Sequence, residues 1–221
     1  MEPTLNPARR PDKVTLHGRY ATIVPIAPEH ADAIYTATAE SANDHLWDYM
    51  GEGPFFDRDG FDAAWQRKIA SADAVFYSVL DANSQAPVGY ASLMRIDPAN
   101  ACIEVGNIMY SHALQRTPAA TEAQYLLARY VFEDLGNRRY EWKCNALNAP
   151  SRRAAHRYGF QFEGIFRQHM IIKGRNRDTA WFSMLDSEWD VRKAAFEAWL
   201  DPANFDDKGC QKRPLQRGDS V

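Results

Sequence analysis

The chain lacks the features that announce the simplest functions. It has three cysteines in 221 residues, Cys102, Cys144 and Cys210, and no two form a CxxC pair. An odd, scattered set of thiols offers neither a disulfide frame nor a zinc site. Cys102 and Cys144 fall in extended segments and read as small core residues. The six histidines, His17, His30, His45, His112, His156 and His169, show no metal-ligand spacing, so no metal is expected. No apolar run reaches the length a membrane-spanning helix needs. Positive charge is not in excess: 26 Lys and Arg face 29 Asp and Glu, net −3. No nucleic-acid or membrane partner is expected. The opening residues carry Pro3, Pro7, Pro11 and Arg9-Arg10 without an apolar stretch, and do not read as a secretory signal. A reducing cytoplasm is the expected compartment.

Apolar residues make up 45% of the chain and aromatics 12%, enough for a sizeable core. One domain is expected over residues 13–200. A flexible arm (1–12) precedes it and a polar, frayed tail (201–221) follows it. Residues 15–26 alternate and read as a first strand, and a helix opens at Pro28. Residues 61–69 have helical spacing. Segments 75–81, 87–96 and 101–110 are strands joined by short turns, an antiparallel meander. A periodic helix runs from Pro118 to Leu135, and a strand follows at 140–146. A second helix starts near Asn148 and stops at Gly159. Residues 160–172 are extended, 173–178 turn, 179–185 return, and a helix at 187–200 closes the order. The class is α+β, with a mixed, mainly antiparallel sheet of about seven strands flanked by helices. Residues 103–146 form its one crossover, so their two strands should be parallel neighbours.

Two stretches carry candidate chemistry. In Leu114-Gln115-Arg116-Thr117-Pro118-Ala119-Ala120-Thr121, Thr117 reads as a helix N-cap and Pro118 as the first helical residue. The first N–H groups of a helix have no internal partner, and its dipole favours an anion there. Ala119, Ala120 and Thr121 should keep free N–H groups, and Arg116 can add charge. The plainer reading is a helix start like any other. Residues 44–62 hold six acids (Asp44, Asp48, Glu52, Asp57, Asp59, Asp62), one base (Arg58) and five large aromatics. They read either as a mouth for a cationic substrate, with Trp47, Tyr49 and Phe55 in contact, or as a loop its aromatics pin to the core.

Three elements in order, Gln115–Ala120, Asn148-x-x-Ser151 and Tyr158-Gly159-Phe160-x-x-Glu163-Gly164, resemble the GNAT acetyltransferase superfamily. The resemblance is greatest to its RimJ/RimL-like branch of ribosomal-protein N-terminal acetyltransferases, and covers about residues 14–189. The family's pyrophosphate loop is Gln/Arg-x-x-Gly-x-Gly/Ala, and Pro118 stands at its first glycine. The resemblance implies a GNAT-like domain that moves an acetyl group from acetyl-CoA to a primary amine, by direct attack through a tetrahedral intermediate. The acceptor would be a protein N-terminus or a small cationic amine. Ile108, Met109 and Tyr110 would pair with the pantetheine. Gln115, Arg116, Thr117, Ala119, Ala120 and Thr121 would hold the pyrophosphate. Asn148 would hold the pantetheine or a sheet carbonyl, and Ser151 would hydrogen-bond the departing sulfur. Many members carry a tyrosine acid where this chain has Ala155. Glu104, on an apolar strand, is the candidate base; the other reading is a carboxylate satisfied by an arginine such as Arg95. Trp181 is a candidate for the acceptor pocket. Arg152, Arg153 and Arg157 would meet a cofactor phosphate or form a solvated face. A homodimer is expected by analogy of fold. The alternative function is a non-catalytic acyl-CoA-binding or protein-interaction module.

Overall fold

In the computed structural model, which describes residues 7–216, the apolar patterns become eight strands and five α-helices. The strands are β1 (Leu16–His17), β2 (Ala21–Pro25), β3 (Val75–Asp81), β4 (Pro87–Asp97), β5 (Cys102–Tyr110), β6 (Arg139–Asn145), β7 (Gln161–Ile172) and β8 (Arg175–Leu185). The helices are α1 (Ala31–Thr38), α2 (Arg58–Ile69), α3 (Pro118–Arg129), α4 (Ala149–Arg157) and α5 (Asp186–Leu200). One sheet contains all the strands, in the order β1-β2-β3-β4-β5-β6-β8-β7. Only β5 and β6 are parallel. Connection length explains this. Tight turns return the chain antiparallel, whereas α3 carries it across the sheet to a parallel neighbour.

Each face of the sheet has its own cover. Ile103, Val105, Tyr140 and Trp142 pack with Leu126, Leu127 and Val131 of the α3 segment and Phe196 of α5. On the opposite face, Phe76 and Tyr90 pack under Ile34 of α1 and Phe61 and Trp65 of α2.

Three expectations change. Residues 15–26 form two strands, not one. Buried Glu122 on α3 accepts the backbone N–H groups of Arg19, Tyr20 and Ala21 at 2.9, 2.5 and 2.8 Å, which pulls a turn out of the segment. Gly18 makes room for it: a Cβ there would lie 2.3 Å from Glu122 Oε2. The turn at 173–178 shrinks to Lys173 and Gly174, both with positive φ (50° and 72°), as two-residue hairpins require. The flanks are also tied down where they are described. Ala8 and Arg9 donate N–H groups to the carbonyls of Pro98 and Leu135, and Tyr77 Oη donates to the Asp12 carbonyl at 2.6 Å. Phe205 packs edge-on against Trp199, Leu215 is buried, and Trp199 Nε1 donates to Gln211 at 2.7 Å. A few apolar anchors hold a segment whose composition is polar. Residues 1–6 and 217–221 of the expected arm and tail lie outside the described residues.

Candidate active site

The parallel pair β5 and β6 stays together for only four rungs, Cys102↔Arg139 to Val105↔Trp142. Beyond them β5 runs on with β4, through Met109↔Tyr90 and Tyr110↔Gly89. β6 runs on with β8, through Lys143↔Trp181 to Asn145↔Thr179. The strands therefore part into a wedge. Its β5 side bulges, with a register shift between Tyr90 and Ser92 and Asn107 at φ 50°. Asn107 Nδ2 donates to Ser92 Oγ at 2.9 Å, which fixes the bulge. Backbone groups of residues 106–110 face the wedge without a β6 partner, a ready edge for an extended ligand. Ile108, Met109 and Tyr110 lie on this edge. At its end, Ser111 Oγ and Gln124 Oε1 are shielded and have no hydrogen-bond partner among the described residues. Gln124 Nε2 donates to Tyr110 Oη at 2.6 Å, which places it beside the same strand end.

The start of α3 sits beyond that end. Thr117 is its N-cap, in extended backbone, and its Oγ1 accepts the Ala120 N–H at 3.2 Å while donating to the Leu114 carbonyl at 2.6 Å. Arg116, exposed, takes φ 63° to make the corner, and Gln115 Nε2 donates to the Tyr110 carbonyl at 2.8 Å. The expected trio of free donors is thereby reduced. Ala120 serves the cap, and in a helix starting at Pro118 the Thr121 N–H bonds back to the cap carbonyl. Ala119 alone keeps a spare N–H. Compensation comes from α4. Arg157 Nη1 donates to Thr121 Oγ1 at 2.9 Å, and its guanidinium lies over the Trp199 ring at 4.7 Å. Burial pulls its pKa down from the usual guanidinium range, yet a guanidinium stays charged at neutral pH. Arg157 is thus a half-buried cation behind the start of α3 rather than part of a solvated face.

Across the wedge, Asn148 caps α4: its Oδ1 accepts the Ser151 N–H at 3.0 Å. Ser151 Oγ accepts from Trp142 Nε1 at 3.0 Å, and its own proton can be donated, with the Cys144 sulfur within its reach. The Cys144 thiol is beside it, and burial raises that thiol's pKa.

Glu104 is buried on the closed side of the wedge. Its Oε2 pairs with Arg95 Nη1 at 2.8 Å and Lys143 Nζ at 3.0 Å. Both cations engage the same oxygen, the pairing that the satisfied-carboxylate reading expects. The φ of 47° at Arg95, within a β4 irregularity, is the local feature that accompanies this aim. Lys143 also binds Glu141 at 2.6 Å and lies 3.8 Å over the Trp181 ring. Arg139 joins Glu141 at 2.7 Å to Glu163 at 2.6 Å. The result is a charged ladder across β4, β5, β6 and β7.

Three contacts tie the aromatic loop to the rest of the chain. His45 stacks on His112 at 5.1 Å, Tyr49 Oη donates to the Leu147 carbonyl at 3.3 Å, and Lys173 Nζ donates to the Trp47 carbonyl at 2.7 Å. Of its aromatics, Trp47 is not available to a substrate. It has no exposed surface, and its Nε1 donates to the Thr38 carbonyl at 2.6 Å. Phe55 packs edge-on against Trp47 and Phe61 and belongs to the same core. Tyr49 stays partly exposed, and Trp181 packs on Phe166 at 4.4 Å. Half the loop's acids are already engaged. Glu52 pairs with Lys68, Asp57 caps α2, and Asp62 pairs with Arg58 at 2.7 Å.

Comparison with known proteins gives one consistent answer. The family model described as "Acetyltransferase (GNAT) domain" matches residues 21–161. A Bacillus subtilis protein described as "Putative ribosomal N-acetyltransferase YdaF" is 28% identical over 129 residues, 58% of this chain and 69% of that one. The crystal structure of a GCN5-related N-acetyltransferase from Brucella melitensis is 47% identical and superposes with a TM-score of 0.93, covering 96% of both chains. A probable GNAT-family acetyltransferase from Chromobacterium violaceum is 38% identical, with a TM-score of 0.80 over 86% of this chain and 96% of that one.

Proposed function

The chain belongs to the GNAT acetyltransferase family, resembles its RimJ-like branch and is an acyltransferase, and from that premise we propose that it acetylates a primary α-amine with acetyl-CoA. The parted strand pair carries the reading. Its free β5 edge, residues 106–110, suits an extended amide-bearing chain, and an N–H from the same edge can meet the oxyanion that develops on the carbonyl. The shielded Ser111 Oγ and Gln124 Oε1 fit a polar ligand along that edge. Thr117, the Ala119 N–H, Arg116 and the Arg157 charge would hold the pyrophosphate end. Acetyl-CoA supplies the activated acyl group and a thiolate leaving group. Ser151, whose oxygen already accepts from Trp142, would turn its proton to the sulfur as the C–S bond breaks and the C–N bond forms.

An α-amine suits the proton balance. Its pKa, near ~8, leaves a neutral fraction at pH 7, whereas a lysine near ~10 demands a stronger base. Glu104 would take the amine proton through water, although Arg95 and Lys143 both engage its Oε2. No helix among the described residues is long and apolar enough to cross a membrane; a cytoplasmic place is part of the proposal.

The test is thiol release from acetyl-CoA across an amine panel. Ser151→Ala should lower turnover about a hundredfold, with little change in the KM for acetyl-CoA. Unchanged turnover would retire Ser151 as the sulfur's partner. Tight CoA binding without thiol release for any amine would favour the non-catalytic module.

A further inference from the structure

The charged ladder does not neutralise itself. Its paired cations are Arg95, Lys143 and Arg139, and its carboxylates are Glu104, Glu141 and Glu163. Arg177 on β8 adds a fourth cation within electrostatic range of Glu104. It is equally within range of Arg95, whose charge opposes its own. Glu104 is already shared between Arg95 and Lys143, so nothing in the ladder remains to balance Arg177. Its Nε is shielded from water and has no hydrogen-bond partner among the described residues. The adjacent carboxylate, Asp178, belongs to the opposite face of the strand, where its Oδ1 accepts the Gln168 N–H at 2.7 Å.

The position is as telling as the charge. The last rung between β6 and β8 is Asn145↔Thr179. Arg177 is two residues earlier on β8, so it shares a face with Thr179 and Trp181 but stands past the end of β6, where the wedge opens. Trp181 Nε1, on that face, is also shielded and without a partner among the described residues. A desolvated guanidinium is costly without a counter-ion, and its planar fork matches a carboxylate on two oxygens.

We propose that Arg177, supported by Arg95, is the specificity residue that receives a carboxylate of the acceptor, so that the acceptor carries this anion close to its reacting amine. Two sources share that chemistry: a free amino acid through its own α-carboxylate, and a peptide with an acidic side chain near its N-terminus. The inference rests on the acetyltransferase reading and narrows it. It also reverses the cationic acceptor suggested by the acids of residues 44–62, half of which the protein uses internally.

The experiment compares matched acceptors with acetyl-CoA: serine against serinamide, and a Ser-Asp peptide against its Ser-Asn and Ser-Lys counterparts. The carboxylate-bearing member of at least one set should have a kcat/KM about tenfold higher or more. Preference confined to the first set identifies an amino acid, and preference confined to the second an acidic peptide. Arg177→Gln should erase the preference through the acceptor KM while the KM for acetyl-CoA holds. Arg177→Lys should restore part of it, and Arg177→Glu should turn it toward the Ser-Lys peptide. Equal rates within every set, or a preference that survives Arg177→Gln, would overturn the proposal. Thiol release that is absent with every amine would instead overturn the acetyltransferase reading, and this proposal with it.

Discussion

One face of the sheet is two different surfaces. Over β3 and β4 it carries Phe76 and Tyr90 beneath Phe61 and Trp65 of α2. Over β5 and β6 it carries Glu104, Glu141 and Lys143, and the change takes two rungs, Met94↔Glu104 and then Glu104↔Glu141. The apolar half gains stability from burial, about 25 cal/mol per Å². In the charged half, desolvation roughly cancels Coulomb attraction, so its ion pairs contribute placement more than stability. Glu104, the proposed base, stands at the boundary between the two halves.

Trp47→Ala breaks the apolar half most severely. The ring is fully buried, so the change should cost about 4 kcal/mol in denaturant unfolding. Because the ring meets no substrate, any activity that survives at low temperature should keep its acceptor KM. A stable variant with a raised acceptor KM would put Trp47 back in the site.

Lys143→Met tests the charged half. It leaves Glu104 to Arg95 alone and Glu141 to Arg139 alone in a buried setting, and should cost about 3 kcal/mol or less. Adding Glu104→Gln should return part of that loss, and a double-mutant cycle measures the coupling. Additive effects would mean that the two charges do not depend on each other.

The two halves were unequally legible. The helix α2 follows from local periodicity, because it buries one regular side through Phe61, Ala64 and Trp65, and the strand Val75–Asp81 follows from a short, mostly apolar run whose two faces are both covered. The ladder joins residues spread from Arg95 to Glu163 through strand order, which no local pattern encodes; only the Arg95–Glu104 pair could be guessed, as neighbours on one hairpin. The β1–β2 turn was hidden for the same reason, since Glu122, which organises it, lies a hundred residues away. Arg157 looked solvated because Trp199, which covers it, comes from the closing helix. The α3 start was legible in its cap, but the cost of that cap, the Ala120 donor, emerges only when the hydroxyl is placed.

That cost gives a smaller test, at the end of the wedge. Pro118→Gly restores an N–H at the first helical position and removes a rigid start that is worth about 1 kcal/mol or less to the helix. CoA affinity, measured by calorimetry, should stay level or rise by a few-fold. A large loss would mean that the preorganised corner, not the number of donors, controls binding.

The weakest effect separates the halves by pH. Arg139 and the Ser183 hydroxyl, at 2.7 Å, hold the Glu163 carboxyl at about 2, against 4.5 for a free glutamate. Between those values the unfolded chain binds a proton at this site more readily than the folded one. The contribution of Glu163 is therefore complete above pH 4.5 and lost as pH falls towards 2. The side chain is 40% exposed, and solvent screening limits the effect to about 1 kcal/mol or less. Glu163→Gln should accordingly show a smaller drop in melting temperature between pH 6 and pH 3 than the unmodified chain. The same comparison in a Phe61→Leu variant should keep the full drop, since that change lies in the apolar half. If Glu163→Gln melts with an unchanged acid slope, the end of the ladder is a solvated pair that contributes nothing, and the charged half shrinks to the five residues Arg95, Glu104, Lys143, Glu141 and Arg139.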